Sequence, residues 1–254
     1  MTDEKTPWYT KFFDEDYPKV YQERLSEDAT DREVGFVEGI LGLKVGDRVL
    51  DLACGQGRHA VALAQRGMVV TAQDLTEEYL RTAQEAAQAT GVEIETVHSD
   101  MREIPFTDEF DAIINMFTAF GYLESEDEDM KVLHAVANAL KPGGRLLMDL
   151  LNREWVVTNY VQKEWRTDPD GNTILEDREF NLMTGRNRVS FSIVTPDGAR
   201  RELPGHDIRL YTLTELGKLL ADAGLQLSAL YGDFDGSPYA IDTRRMIVVA
   251  GKIT

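Results

Sequence analysis

Residues Val49–Ala64 read VLDLACGQGRHAVALA, an apolar run that passes through two glycines into a helical pattern. A strand, a tight glycine turn and a helix start make a ligand site for physical reasons. Glycine lets backbone approach the ligand closely, and the first turn of the helix offers unpaired N–H groups. The segment from Gly55 to Ala60 fits the dinucleotide pattern G-x-G-x-x-G/A, so a nicotinamide-dependent oxidoreductase is one reading. The strand, however, carries Asp51 four residues before Gly55. A carboxylate there repels a pyrophosphate and suits a cationic ligand such as an α-ammonium group. Asp51 also fits a buried structural carboxylate that caps the following helix.

Outward from this stretch, short β runs alternate with helical ones. Thr30 to Glu33 has the form of a capping box and opens a helix to about Gly42. DRVLDLA (47–53) is the first strand, and RHAVALAQRG is a helix closed by Gly67. MVVTAQD is a second strand, followed by a helix from Thr76 that Gly91 stops. VEIETVHSD and FDAIINMF read as strands three and four. Ser125 with Glu128 opens a helix to about Leu140, KPGG turns, and GRLLMDLL is strand five. Strands separated by helices predict a parallel sheet covered on both faces.

After Leu151 the rhythm changes. Between Trp165 and Leu210 the runs TILEDREFN, RVSFSIV and ARREL are separated by the turns DPDG, TGRN and PDG. They predict an antiparallel β meander inserted at 152–211, lying over the main domain (1–151 and 212–254) and covering its ligand pocket. A capping box at Thr212–Glu215 resumes the helical pattern up to Gly224, and LQLSALYG and RMIVVAGK close the chain as strands.

The 254 residues carry a formal net charge of −18 and a single cysteine, Cys54. An acidic chain repels phosphate backbones, so nucleic acid and anionic membrane are not expected partners. With one cysteine no intrachain disulfide forms. No apolar run approaches a membrane span, and the acidic N-terminal segment lacks a signal-peptide pattern, which predicts a cytoplasmic protein. The four histidines lack close ligand spacing, and ESEDED (124–129) reads as acid enrichment at a helix start; no metal is expected.

The order of motifs resembles class I S-adenosylmethionine-dependent methyltransferases of the small-molecule type. DLACGQG is similar to their first motif D-x-x-x-G-x-G, Asp74 ends strand two, Ser99-Asp100-Met101 follows strand three, DAIINMFTAFGYL resembles the fourth motif, and LKPGGRLLMDL the turn into strand five. The resemblance covers about 34–151 and 212–254. It implies an α/β, Rossmann-like, seven-stranded mostly parallel sheet with helices on both faces and the last strand antiparallel. It also implies S-adenosylmethionine as cofactor and S-adenosylhomocysteine as product. Asp51 would hold the ammonium group; Ala53, Gly55 and Gly57 would line the methionine half; Asp74, next to Leu75, would accept the ribose hydroxyls. Asp100 would receive the adenine amino group, Met101 would pack on the ring, and Asn115 and Phe117 would border the reacting methyl. Ala53 departs from the family, where many members have glycine, and is accommodated if its φ is negative.

Methyl transfer needs alignment more than a fixed base. The candidates for acceptor chemistry are His206, where the meander rejoins the domain, and Tyr122, with Tyr211 and Tyr239 behind them. His206 equally fits an exposed turn histidine. The aromatic N-terminal segment, with Trp8, Tyr9, Phe12, Phe13, Tyr17 and Tyr21, reads either as a packed helix or as a lid in which Tyr9, Tyr17 and Tyr21 touch the cofactor. The loop between the last two strands offers Asp233 and Asp235 to a basic acceptor or Arg244 and Arg245 to an acidic one. A free small molecule transferred to at oxygen or nitrogen is the expected acceptor, and the protein is expected as a monomer or homodimer. A donor-binding regulator without turnover is the reading from outside enzymology.

Overall fold

The computed structural model describes residues 7–12 and 26–253. In chain order the elements are α1 (Tyr9–Phe12), α2 (Glu27–Leu41), β1 (Arg48–Leu52), α3 (Arg58–Gln65), β2 (Val69–Asp74), α4 (Glu77–Thr90), β3 (Glu95–His98), β4 (Phe110–Asn115) and α5 (Glu126–Ala139). They continue with β5 (Leu140–Leu151), α6 (Arg153–Thr158), β6 (Lys163–Thr167), β7 (Thr173–Asn181), β8 (Arg186–Val194), β9 (Arg200–Arg209), α7 (Leu213–Asp222), β10 (Leu225–Tyr231) and β11 (Arg245–Lys252).

Seven strands form one sheet in the order β10-β11-β5-β4-β1-β2-β3. β1 pairs in parallel with β2 and β4, β2 with β3, and β4 with β5, whereas β11 runs antiparallel to both β5 and β10. This is the mostly parallel sheet that the alternating β and α runs predict. The period of two along β1 sends Leu50 and Leu52 to one face and Val49 to the other. The first face packs on Val132, Leu133 and Val136 of α5 and Leu216, Leu219 and Leu220 of α7. The second packs on Val34 and Val37 of α2 and Ala60 and Leu63 of α3. Asp51, also on the second face, therefore points a carboxylate into the layer beside α3.

Two local expectations are corrected. Helix α2 begins at Ser26, whose side chain accepts the Ala29 N–H, and Thr30 lies inside it with its hydroxyl on the Ser26 carbonyl at 3.0 Å. Ser26 has Ala29 rather than an acid three residues on, so the capping-box template pointed downstream, to a Glu33 that serves α3 instead. At KPGG, strand β5 is continuous from Leu140, with Gly143 at φ 79 and a register shift between Phe110 and Ala112 on the facing strand. The turn chemistry is thus spent on a bulge within the strand. Thr212 and Glu215 form the full capping box at α7.

Strands β6 to β9 make a separate antiparallel sheet in sequential order. Its apolar side, with Ile174, Val189, Phe191, Ile193 and Leu203, packs on Phe12 and Trp8 at α1. It is tied to the loop after β4, where the Arg209 amide donates to the Gly121 carbonyl at 2.8 Å and Arg186 donates to the Leu123 carbonyl at 2.9 Å.

Candidate active site

A cavity of about 520 Å³ opens at the carboxyl ends of β1, β2, β3 and β4, within the roughly 300–1,000 Å³ usual for small ligands. Asp51, Ala53, Gly55, Asp74, Leu75, Asp100, Met101, Phe117, Tyr9 and Tyr122 all line it. Asp51 there is 1% exposed; it accepts the Ala60 N–H in the first turn of α3, while Oδ2 has no partner among the described residues. The capping reading of Asp51 thus accounts for one of its oxygens and leaves the other available. Burial pushes its carboxyl up to about 6, against the pull of His59 and Arg58.

Ala53 is at φ 58, so the expectation of a negative φ there is overturned. The chain turns left-handed directly after β1, which is why glycine suits the position, and alanine bears a strain of about 1–2 kcal/mol. Gly55, at φ 56, has nothing within 4 Å of where a Cβ would sit, leaving its backbone open to the cavity. Gly57 does not line the cavity. It caps α3, and a Cβ on it would meet the Ala83 Cβ at 2.4 Å, so its role is the close approach of α3 to α4.

Asp74 holds the loop in place: Oδ2 accepts the Gly55 N–H and Oδ1 the Thr76 N–H, both at 2.8 Å. Burial raises its carboxyl despite these bonds. In the turn after β3, Asp100 is gripped by Arg102 through Nε at 2.9 Å and Nη2 at 2.7 Å, which lowers its carboxyl against the effect of burial. Gln73, fully buried, donates to the Asp100 carbonyl at 3.0 Å and fixes that turn, while its own Oε1 has no partner among the described residues.

The other wall follows β4. Asn115 does not reach the cavity; its amide donates to the Leu52 carbonyl at 3.0 Å and links β4 to β1. Phe117 does line it, as do Met116 and Ala119. Tyr9 and Tyr122 stack with ring centroids 6.4 Å apart, and Trp8 meets Tyr122 edge-on at 4.7 Å. Burial and the nearby Asp100 carboxylate raise the Tyr9 hydroxyl, which stays protonated. His206 lies outside the cavity, packed against Phe12 at 5.3 Å and Trp8 at 6.2 Å; burial drops its imidazole to about 4. Tyr211 is remote too, bonded to the buried Asp129 at 2.6 Å. Tyr17 and Tyr21 lie outside the described residues.

Sequence reasoning missed Arg58 and His59, which follow the second glycine and face the cavity from the first turn of α3. Glu33 ties both, to Arg58 at 2.6 Å and to His59 at 2.8 Å, and Nη2 of Arg58 is buried with no partner among the described residues. The signal was present in the motif: two adjacent basic residues at the helix start, following an acid on the strand. Gln73, Thr10 and Tyr79 are further lining residues not singled out, and Ser99 lines the cavity beside Asp100.

These residues fit an amino-acid nucleoside. Asp51 Oδ2 and Arg58 Nη2 are unpartnered buried atoms of opposite charge at one end, the complement of a zwitterion, and Gly55 leaves an open cradle between them and Asp74. A pyrophosphate would meet two carboxylates, Asp51 and Asp74, on its path.

The methyltransferase domain family matches residues 49–144, the segment from β1 to the start of β5. A methyltransferase-family protein of Geobacillus sp. (strain WCH70) is 33% identical over 239 residues, covering 91% of this chain and 96% of its own. Among solved structures, an S-adenosylmethionine-dependent methyltransferase from Clostridium acetobutylicum aligns with a TM-score of 0.79 at 20% identity, covering 94% of this chain and 96% of that one. SAM-bound CalS10, an amino pentose methyltransferase from Micromonospora echinaspora, aligns at 0.69 with 22% identity, covering 93% and 96%. The chain belongs to the methyltransferase family, and it shares the fold of S-adenosylmethionine-dependent members. That membership decides against the oxidoreductase reading of the glycine loop.

Proposed function

We propose that the cavity binds S-adenosylmethionine and that the chain transfers its methyl group to a small-molecule acceptor at oxygen or nitrogen. The observation that carries this reading is the unpartnered Asp51 Oδ2 at the cavity floor, facing a site whose glycine backbone is open. Asp51 receives the α-ammonium group, Arg58 the carboxylate, and Asp74 the ribose hydroxyls. Met101 packs on the adenine, and Asp100 receives its amino group. When bound, the donor supplies a methyl group activated by a sulfonium leaving group.

The chain's own contribution is orientation and exclusion of water. Tyr9, Phe117 and Tyr122 wall the acceptor side, and the Tyr9 hydroxyl serves as a hydrogen-bond donor rather than a base. The insert at 152–211 supports this wall from behind through Trp8, with His206 in the layer that backs it. In this reading 1–151 with 212–254 is the donor-binding domain, and the insert limits the acceptor to a free small molecule. The net charge of −18 disfavours nucleic acid, and CalS10 gives a precedent of like fold for a sugar-sized acceptor.

Incubation with methyl-labelled S-adenosylmethionine and a panel of small amines and hydroxyl compounds, with tRNA as control, tests the reading. Label in a small molecule supports it. Label in tRNA alone, or tight donor binding with no transfer across the panel, overturns it, the latter in favour of a regulator.

A further inference from the structure

Directly after β4 the chain does something costly. Phe117 and Thr118 are both at φ 61, two consecutive non-glycine residues in the left-handed region, one of them β-branched. Such a turn persists only where its surroundings over-determine it. Here one residue of the neighbouring strand does so. Asp149 of β5, 1% exposed, accepts the Phe117 N–H on Oδ2 at 3.0 Å, and its carbonyl accepts the Thr118 N–H at 2.8 Å.

Asp149 is in turn neutralised by Arg245, the first residue of β11, whose Nη1 donates to Oδ1 at 2.7 Å and Oδ2 at 2.6 Å. Arg245 lies over the Phe234 ring at 4.8 Å, and its Nη2 is 3.9 Å from Oε1 of Glu33. The other oxygen of Glu33 holds Arg58 and His59. A single buried charge network thus runs from the start of α3, on the donor side of the cavity, to the Phe117 turn on the other side. Arg58 closes the circuit, its guanidinium 5.7 Å from the Phe117 ring centroid. Neither Asp149 nor Arg245 lines the cavity.

We propose that Asp149 and Arg245 are positioning residues, which hold the strained Phe117–Thr118 turn and so set the distance between the acceptor wall and the donor loop. The inference rests on the donor reading above, in which Phe117 borders the reacting position. It assigns the first residue of β11 a task different from pairing with an acidic acceptor: its charge is committed inward.

Two measurements on the full chain test it. The first compares S-adenosylhomocysteine with sinefungin, the donor analogue that carries an amine-bearing carbon where the methyl sulfonium stands. Asp149→Ala and Arg245→Gln are expected to shift the ratio of the two dissociation constants by about fivefold or more, because only sinefungin probes the reacting position. Asp149→Asn, which keeps an acceptor for the Phe117 N–H, is expected to restore most of the ratio. A purely structural role would weaken both ligands together, and an unchanged ratio in folded variants overturns the proposal. The second measurement follows thermal unfolding. Thr118→Gly is expected to raise the melting temperature of the otherwise unchanged protein, and by less in Asp149→Ala, where the Phe117 N–H has lost its acceptor although the residue-149 carbonyl still meets the Thr118 N–H. An equal rise in both backgrounds overturns the clamp. If the unchanged protein binds neither ligand, the donor reading fails instead, and the thermal result alone judges the clamp.

Discussion

Asp74 accepts the Gly55 amide at 2.8 Å, so the acid that ends β2 is part of the scaffold of the glycine loop that follows β1. The loop is therefore shaped before any ligand arrives, and the same carboxylate keeps capacity to accept further hydrogen bonds. Replacing Asp74 with alanine is expected to weaken S-adenosylhomocysteine binding by roughly 1.5–3 kcal/mol, the scale of hydrogen bonds to a charged group. Calorimetric titration reads this directly, and an unchanged affinity removes Asp74 from the site.

The Asp51 carboxyl, raised to about 6 from an ordinary 3.8, makes donor binding depend on pH. An ammonium group binds the ionised form, so binding releases a proton near neutrality. Affinity for S-adenosylhomocysteine is expected to fall about tenfold between pH 7 and pH 5, as Asp51 goes from mostly charged to mostly neutral. In Asp51→Asn the affinity is weak at pH 7 and this slope is flattened. A wild-type slope that survives in the variant would assign the dependence to another group.

Ala53 and Gly57 predict opposite responses to exchange. Ala53→Gly relieves a left-handed alanine at φ 58 and is expected to stabilise the fold by about 1 kcal/mol. Gly57→Ala adds a methyl group aimed at Ala83 in a backbone at φ 76, and is expected to destabilise by about 2–4 kcal/mol, from strain and overpacking together. Denaturant melts of the two variants check both signs.

Buried titrating groups outside the cavity set the acid branch of stability. His206 falls to about 4 from 6.5, so the folded state binds fewer protons than the unfolded one between these values. Its contribution is present above 6.5 and is lost as pH falls toward 4. Asp129 has the reverse sign: raised to about 6 from 3.8, it favours the fold below 3.8, an advantage lost as pH rises through 6. Removing its partner with Tyr211→Phe is therefore expected to lower the melting temperature more at pH 8 than at pH 5. Equal losses at the two values would mean that Asp129 stays in one protonation state throughout.

The parallel sheet was legible because each strand is a short apolar run between capped or glycine-stopped helices, and the period of two or 3.6 is local information. The cavity floor was legible for the same reason: Asp51, Gly55 and Asp74 sit at strand ends that the pattern locates. Asp149, Arg245 and Glu33 were not, since a buried charge is recognised by the partner that neutralises it. Those partners lie on β5, β11 and α2, far apart in the chain. His206 was misplaced by the same limit. A turn-like Pro-Gly-His sequence carries no sign that Trp8 and Phe12 will close over the imidazole. Ala53 shows the converse, a departure from a motif whose backbone geometry nonetheless stays that of the glycine.

The most direct test of the central claim is calorimetric titration of the full chain with S-adenosylhomocysteine and, separately, with NADH at pH 7.5. One-site binding of S-adenosylhomocysteine that Asp51→Asn severely weakens is expected, with no binding of NADH. Binding of NADH alone, or S-adenosylhomocysteine binding indifferent to Asp51, would contradict it.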